Sequence, residues 1–138
     1  MGVVLDTSII VAGERGTLRL EAMLASLGEE PVAIAAITAS ELLHGANRGA
    51  DAGLRARRAA FAESVLDLLP VLPFGLTEAR RHAQLWADLL AAGELIGPHA
   101  MLVAATAMAH GYGVATMSER ELARVPGLRV VPTAPFRT

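Results

Sequence analysis

A chain of 138 residues is long enough to bury roughly two thirds of its unfolded surface in one core, so a single domain spanning 1–138 is the expected organisation. A formal net charge of −2 argues against a strongly cationic nucleic-acid scaffold and leaves room only for a local basic face. All 12 basic residues are arginine, which excludes lysine Schiff-base and P-loop chemistry. The absence of cysteine excludes disulfides and thiolate zinc sites and fits a cytoplasmic chain.

The chain opens on Val3-Val4-Leu5, a short apolar run of the kind found in buried strands, which ends abruptly in Asp6-Thr7-Ser8. No basic segment precedes it, so no secretory signal is expected, and Asp6 stands where myristoylation would require Ser or Thr. A short helical turn is expected over Ile9 to Ala12. A helix follows with Leu20, Met23, Leu24 and Leu27 on one face and Gly28 as its stop. Val32 to Ile37 is nearly all apolar and predicts a central strand covered on both faces. Thr38-Ala39-Ser40-Glu41 then starts a helix, and Asp51 to Leu69 forms another, with a core line of Leu54, Phe61, Val65 and Leu68.

Val71-Leu72-Pro73-Phe74 reads as a third strand, and its proline suits only an edge. Thr77 is the expected cap of a helix whose apolar stripe is Ala79, Ala83, Trp86 and Leu90, closed by Gly93. Leu95 to Ser118 carries no Asp, Glu, Lys or Arg. Pro98, His99, His110, Gly111 and Gly113 break it well short of the ~20 apolar residues a bilayer requires, so no membrane segment is expected. Pro98 begins a buried helix from Ala100 to His110. A fourth strand over Gly113 to Met117, a short helix from Ser118 to Arg124 and a fifth strand over Leu128 to Val131 follow, and the tail after Pro132 carries no signal. Strands alternating with helices predict an α/β fold, a three-layer sandwich with a mostly parallel central sheet of about five strands and helices on both faces.

Asp6, Glu41, Ser118 and Glu121 all fall where strands hand over to helices. Such ends converge at the carboxyl edge of an open sheet, so acids far apart in sequence can share one pocket. Clustered carboxylates repel unless a cation joins them, and hard ions such as Mg²⁺ or Mn²⁺ prefer their oxygens. Each position also has a plainer role. Thr38 with Glu41, and Ser118 with Glu121, have capping-box spacing, and Asp6 with Thr7 and Ser8 has the composition of a helix cap. A carboxylate at the end of a buried strand costs free energy unless it is paired, which favours a functional role for Asp6. His44, His82, His99 and His110 lack zinc-ligand spacing and read as surface or cap residues. His82 and Trp86, one helical turn apart, read as a packing pair. The arginines at 55, 57 and 58, and at 80 and 81, read as solvated faces, with phosphate contact as the other reading.

Four segments in order, LDTSIIV, ITASELLHGA, IGPHAMLVAATAMAHGYGVATMS and RVPGLRVV, resemble the PIN-domain nucleases, specifically the VapC-type toxins of toxin–antitoxin pairs. The resemblance spans nearly the whole chain. It implies a Mg²⁺- or Mn²⁺-dependent endoribonuclease, usually a homodimer, held inactive by a VapB-like antitoxin. By this resemblance Asp6 matches the first metal-binding aspartate and Glu41 the second acid. Thr116, Ser118 and Glu121 match the late motif, with Thr7 and Ser8 supporting Asp6. Relatives commonly carry Asn or Asp at the Ser118 position, and the third acid belongs directly after His99, where this chain has Ala100. A methyl group cannot bind a cation. Neighbouring helical residues point about 100° apart, so His99 is not expected to replace the missing ligand.

The expectation is therefore a toxin-like fold with an impaired metal site at Asp6, Glu41, Ala100 and Glu121. The alternative is a non-catalytic PIN module that binds RNA or antitoxin. A phospho-receiver domain would need a late lysine and an aspartate after its third strand, and dinucleotide binding would need a glycine-rich turn after its first. The chain has none of these.

Overall fold

The computed structural model describes residues 1–138. Five short strands, β1 (Val3–Leu5), β2 (Val32–Ala35), β3 (Val71–Leu72), β4 (Gly113–Ala115) and β5 (Val130–Val131), form one sheet in the order β3-β2-β1-β4-β5. Every pairing is parallel, so the expected mostly parallel sheet is wholly parallel. β1 lies at the centre, and its residues are 0%, 0% and 1% exposed, which requires cover on both faces. β3 lies at an edge, consistent with Pro73.

Alternation along β1 separates the two halves of the core. Val3 and Leu5 face a cluster with Ile9 and Ile10 of α1 (Thr7–Arg15), Met23 of α2 (Leu20–Ser26), Leu42 of α3 (Ala36–Asn47) and Val65 of α4 (Ala52–Leu68). Val4 faces the opposite cluster, with Leu85 and Leu89 of α5 (Leu76–Ala92), Met101, Val103, Ala104, Ala105 and Ala107 of α6 (Pro98–Ala109) and Leu122 of α7 (Glu119–Leu122). Each fully buried aliphatic side chain contributes roughly 1.5–3 kcal/mol, so the two clusters hold the three layers together.

Several local expectations are corrected. The turn over Ile9 to Ala12 is a full helix from Thr7, closed by Gly16 at φ 79°, a conformation that favours glycine. β2 ends at Ala35 and α3 starts at Ala36, so Ile37 is helical and Thr38 lies inside the helix. β3 and β4 stop at Leu72 and at Ala115, and β5 starts only at Val130, so all three are shorter than the apolar runs that suggested them. Thr77 is not a cap. Gly75 occupies that position, and its amide donates to Glu78 Oε1 at 2.8 Å. The stripe of Ala79, Ala83, Trp86 and Leu90 turns largely to solvent, with Trp86 53% and Leu90 60% exposed, while Glu78, Leu85 and Leu89 face inward. Leu68, placed on the core line of α4, is 80% exposed, and Ala62 is buried with Val65.

The tail after Pro132 is a strap. Thr133 is buried, and its amide and hydroxyl donate to Glu119 Oε1. Arg137 Nε donates to Thr133 Oγ1, and Arg137 Nη2 donates to the Met117 carbonyl. Further on, Leu18 bridges Arg137, and the Thr138 amide donates to the Thr17 carbonyl. The strap therefore ties the loop after β4 to the segment between α1 and α2.

Candidate active site

The carboxyl ends of β2, β1 and β4 lie side by side, which places Asp6, the start of α3 and Thr116 on one edge of the sheet. Asp6 is the N-cap of α1 in extended conformation, and its amide donates to the Ala115 carbonyl at 2.9 Å. Its side chain makes no capping bond. Instead Asp6 Oδ2 accepts from Ser8 Oγ at 2.7 Å and from Thr116 Oγ1 at 2.9 Å. These two hydroxyls are held in turn by the loop after β4. The Met117 amide donates to Ser8 Oγ, and the Ser118 amide donates to Thr116 Oγ1, each at 3.0 Å.

Glu41 stands one turn into α3. Because the helix begins at Ala36, the Thr38–Glu41 capping box does not form and the Glu41 carboxylate is left free to face β1. Thr7 Oγ1 donates to Glu41 Oε1 at 2.9 Å, and His99 Nδ1 lies 3.3 Å from Glu41 Oε2. His99, expected to be a surface or cap residue, is therefore part of the site. Its clue was Pro98, which fixes the first turn of α6 and brings its second residue to the sheet edge. Ala100 follows, half-buried against the α5–α6 side of the core, with a methyl group where the expected third acid would stand.

Glu121 approaches from the other side. Ser118 precedes α7 without a side-chain cap, so the second expected capping box is also absent. Glu121 Oε2 accepts from the Gly97 amide at 3.0 Å, so the acid holds the entry to α6 and one of its oxygens is occupied. Ser118 itself is exposed at the rim. Asp6 and Glu41 are thus linked through neighbouring Thr7, and Glu121 lies beyond His99 and Gly97 on the α6 side.

This donor set does not fit a divalent ion as it stands. No three His, Asp or Glu side chains converge as the ligands of one metal would, and the position that could complete such a set is Ala100. Both oxygens of Glu41 are already engaged, by Thr7 and His99, and Asp6 Oδ2 accepts from two hydroxyls, which leaves Asp6 Oδ1 as its free oxygen.

A cavity of about 410 Å³ opens beside Glu41 and Thr7 between α1, α3 and α4, with Arg15, Arg48 and Arg58 on its walls. Nearer the strap, Thr133 and then Arg137 hold the Glu119 carboxyl below its ordinary value, against the opposing effect of burial.

Residues 3–128 match the PIN domain family. The chain is 38% identical over 131 residues to Ribonuclease VapC1 of Rickettsia felis, covering 95% of this chain and 96% of that one. It is 36% identical to Ribonuclease VapC of Rickettsia bellii, covering 99% of each. Among solved structures it is similar to DNA-bound VapBC from Salmonella typhimurium, with a TM-score of 0.83 and 26% identity over 95% of this chain and 97% of that one. With an all-parallel sheet, acids at its carboxyl edge and similarity along its whole length, the chain belongs to the PIN-domain family, in its VapC branch.

Proposed function

We propose that this chain is a VapC-type toxin: an endoribonuclease scaffold that hydrolyses RNA phosphodiester bonds and is neutralised by a VapB-like antitoxin, with its own cleavage impaired at Ala100. The observation that carries this reading is the placement of Asp6 and Glu41 on one edge of the sheet, Glu41 held by the Thr7 next to Asp6 and by the His99 next to Ala100. The relatives named Ribonuclease VapC support the reaction class, and the VapBC neighbour supports an antitoxin partner.

In this reading residues 1–138 act as one PIN-like unit. Asp6, Glu41 and Glu121 are the acids of the site, oriented by Thr7, Ser8 and Thr116, with Ser118 at the rim. PIN-domain nucleases are generally metal-dependent, and carboxylate oxygens suit Mg²⁺ or Mn²⁺. Restoring an acid at Ala100 would give such an ion a third carboxylate. The compartment that suits an RNA-cutting toxin is the cytoplasm, and no helix is long and apolar enough to cross a membrane.

A homodimer is part of the same reading. The stripe from Leu76 through Ala79 and Ala83 to Trp86 and Leu90 has helical spacing but little cover within the chain, as a face built for a second copy would have.

The test compares this chain with its Ala100→Asp variant in Mn²⁺ titration calorimetry and in cleavage of labelled structured RNA. The variant is expected to bind Mn²⁺ at least about tenfold more tightly and to cut RNA far faster, since an oxygen ligand replaces a methyl group. Equal, strong cleavage by both chains would refute the impairment. Absence of cleavage by an Ala100→Asp chain that binds Mn²⁺ would refute the nuclease.

A further inference from the structure

The cavity beside Glu41 has a chemistry that the acids alone do not explain. Arg15 closes α1 and Arg48 follows α3, where the carbonyl ends of those helices favour a cation. Arg58 reaches in from α4, with Nη1 3.5 Å from the Gly45 carbonyl. None of the three forms an ion pair with a carboxylate. Glu14 and Glu41 share the cavity, but Glu41 is engaged by Thr7 and His99. A concave wall thus gathers three guanidiniums whose donors are largely free, in a protein whose net charge is −2.

We infer that this cavity is a phosphate-binding track for single-stranded RNA, in which Arg15, Arg48 and Arg58 grip backbone phosphates alongside the acid pocket. The inference rests on the nuclease reading for the identity of the strand and extends it by naming where the strand lies. A guanidinium presents its donors in a planar fork that matches phosphate oxygens, and three of them free on one wall select a polyanion. The wall runs directly into Thr7 and Glu41, so a strand held there passes the acids of the site. Access is open at Gly45, where an added Cβ would meet no heavy atom within 4 Å. An acidic peptide shares the charge, but continuity with the acids favours the nucleic acid.

The experiment measures anisotropy of a short fluorescein-labelled single-stranded oligoribonucleotide in EDTA across a salt series, so binding is read without metal or cleavage. The Arg15→Ala, Arg48→Ala, Arg58→Ala triple variant is expected to bind about tenfold or more weakly at low salt. Its log-affinity against log-salt slope is expected to flatten by about 2, at roughly 0.7 for each phosphate no longer gripped. Gly45→Glu adds a carboxylate on the same wall, at a position where a Cβ meets no heavy atom within 4 Å, and is expected to weaken binding in the same direction, with its fold checked by circular dichroism. Arg80→Ala with Arg81→Ala, on α5, is expected to bind as the unaltered chain does.

Three results overturn the inference: no RNA binding by the unaltered chain, unchanged binding by both groove variants, or an equal loss in the α5 control. A Glu-rich peptide that binds the groove while RNA binding ignores the groove variants also overturns it, in favour of a protein partner. Failure of the nuclease reading is separable. RNA binding that depends on the arginines in a chain whose Ala100→Asp form never cuts refutes cleavage alone. Cleavage by that form with arginine-independent binding refutes the track alone.

Discussion

Thr38 carries a buried side-chain oxygen with no hydrogen-bond partner, at 0% exposure inside α3. The same shift of the helix start that buried it freed Glu41 to face Thr7 and His99. An unsatisfied buried hydroxyl costs about 1–3 kcal/mol, and valine fills nearly the same volume without it. Thr38→Val is therefore expected to stabilise the fold by about 1 kcal/mol, seen as a higher urea midpoint at unchanged m-value. At this scale the acids were legible, because a carboxylate ending a buried strand is costly unless a partner or an ion meets it. His99 was not legible, since its contact with Glu41 is set by where two helices begin, and neither start is marked by side-chain capping. Glu121 was found by its place after β4, and the plainer role that its spacing from Ser118 suggested, a cap on its own helix, does not form: it accepts from the Gly97 amide at the start of α6 instead.

Between elements, Glu78 shows how α5 and α6 are joined. Its carboxylate accepts from the Gly75 amide at the start of α5, and Oε2 lies 3.3 Å from His110 Nε2 at the end of α6. The Gly75 hydrogen bond, with help from the Glu78 amide and from His110, holds the Glu78 carboxyl below its ordinary value of 4.5, although burial opposes this. A depressed folded pKa means stability that is fully present above the unfolded value and lost as pH falls through the folded one. Urea unfolding below about pH 4.5 is expected to show a steeper loss for this chain than for Glu78→Gln, and equal slopes there would remove Glu78 from the acid transition. The periodicity of α5 was legible, but the direction it faces was not. Trp86 and Leu90 repeat at helical spacing whether they meet the core or another molecule, and the inward face is marked only by Leu85 and Leu89 flanking polar residues. Strand ends were overextended for a related reason, since Ala35-Ala36-Ile37 stays apolar across the change from β2 to α3.

For the whole molecule, the alternation of strands and helices was enough to give a three-layer α/β sandwich, because parallel neighbours demand crossovers and cover on both faces, whereas the place of β1 at its centre came from the strand order. The exposed α5 stripe belongs at this scale. Trp86→Glu with Leu90→Glu is expected to convert the proposed dimer to a monomer in sedimentation velocity while leaving the fold intact, because both side chains are more than half exposed within the chain. A monomeric unaltered chain, or unchanged association in the variant, would remove this face as the interface.

The strap has a consequence in time as well as in space. A ribosome makes Asp6 long before Thr116, which holds it, and the loop carrying Thr116 is fastened through Met117 by Arg137, made later still. During synthesis the bond from Thr116 to Asp6 thus forms only after most of the sheet has been made, and the strap's contact with Met117 is added last.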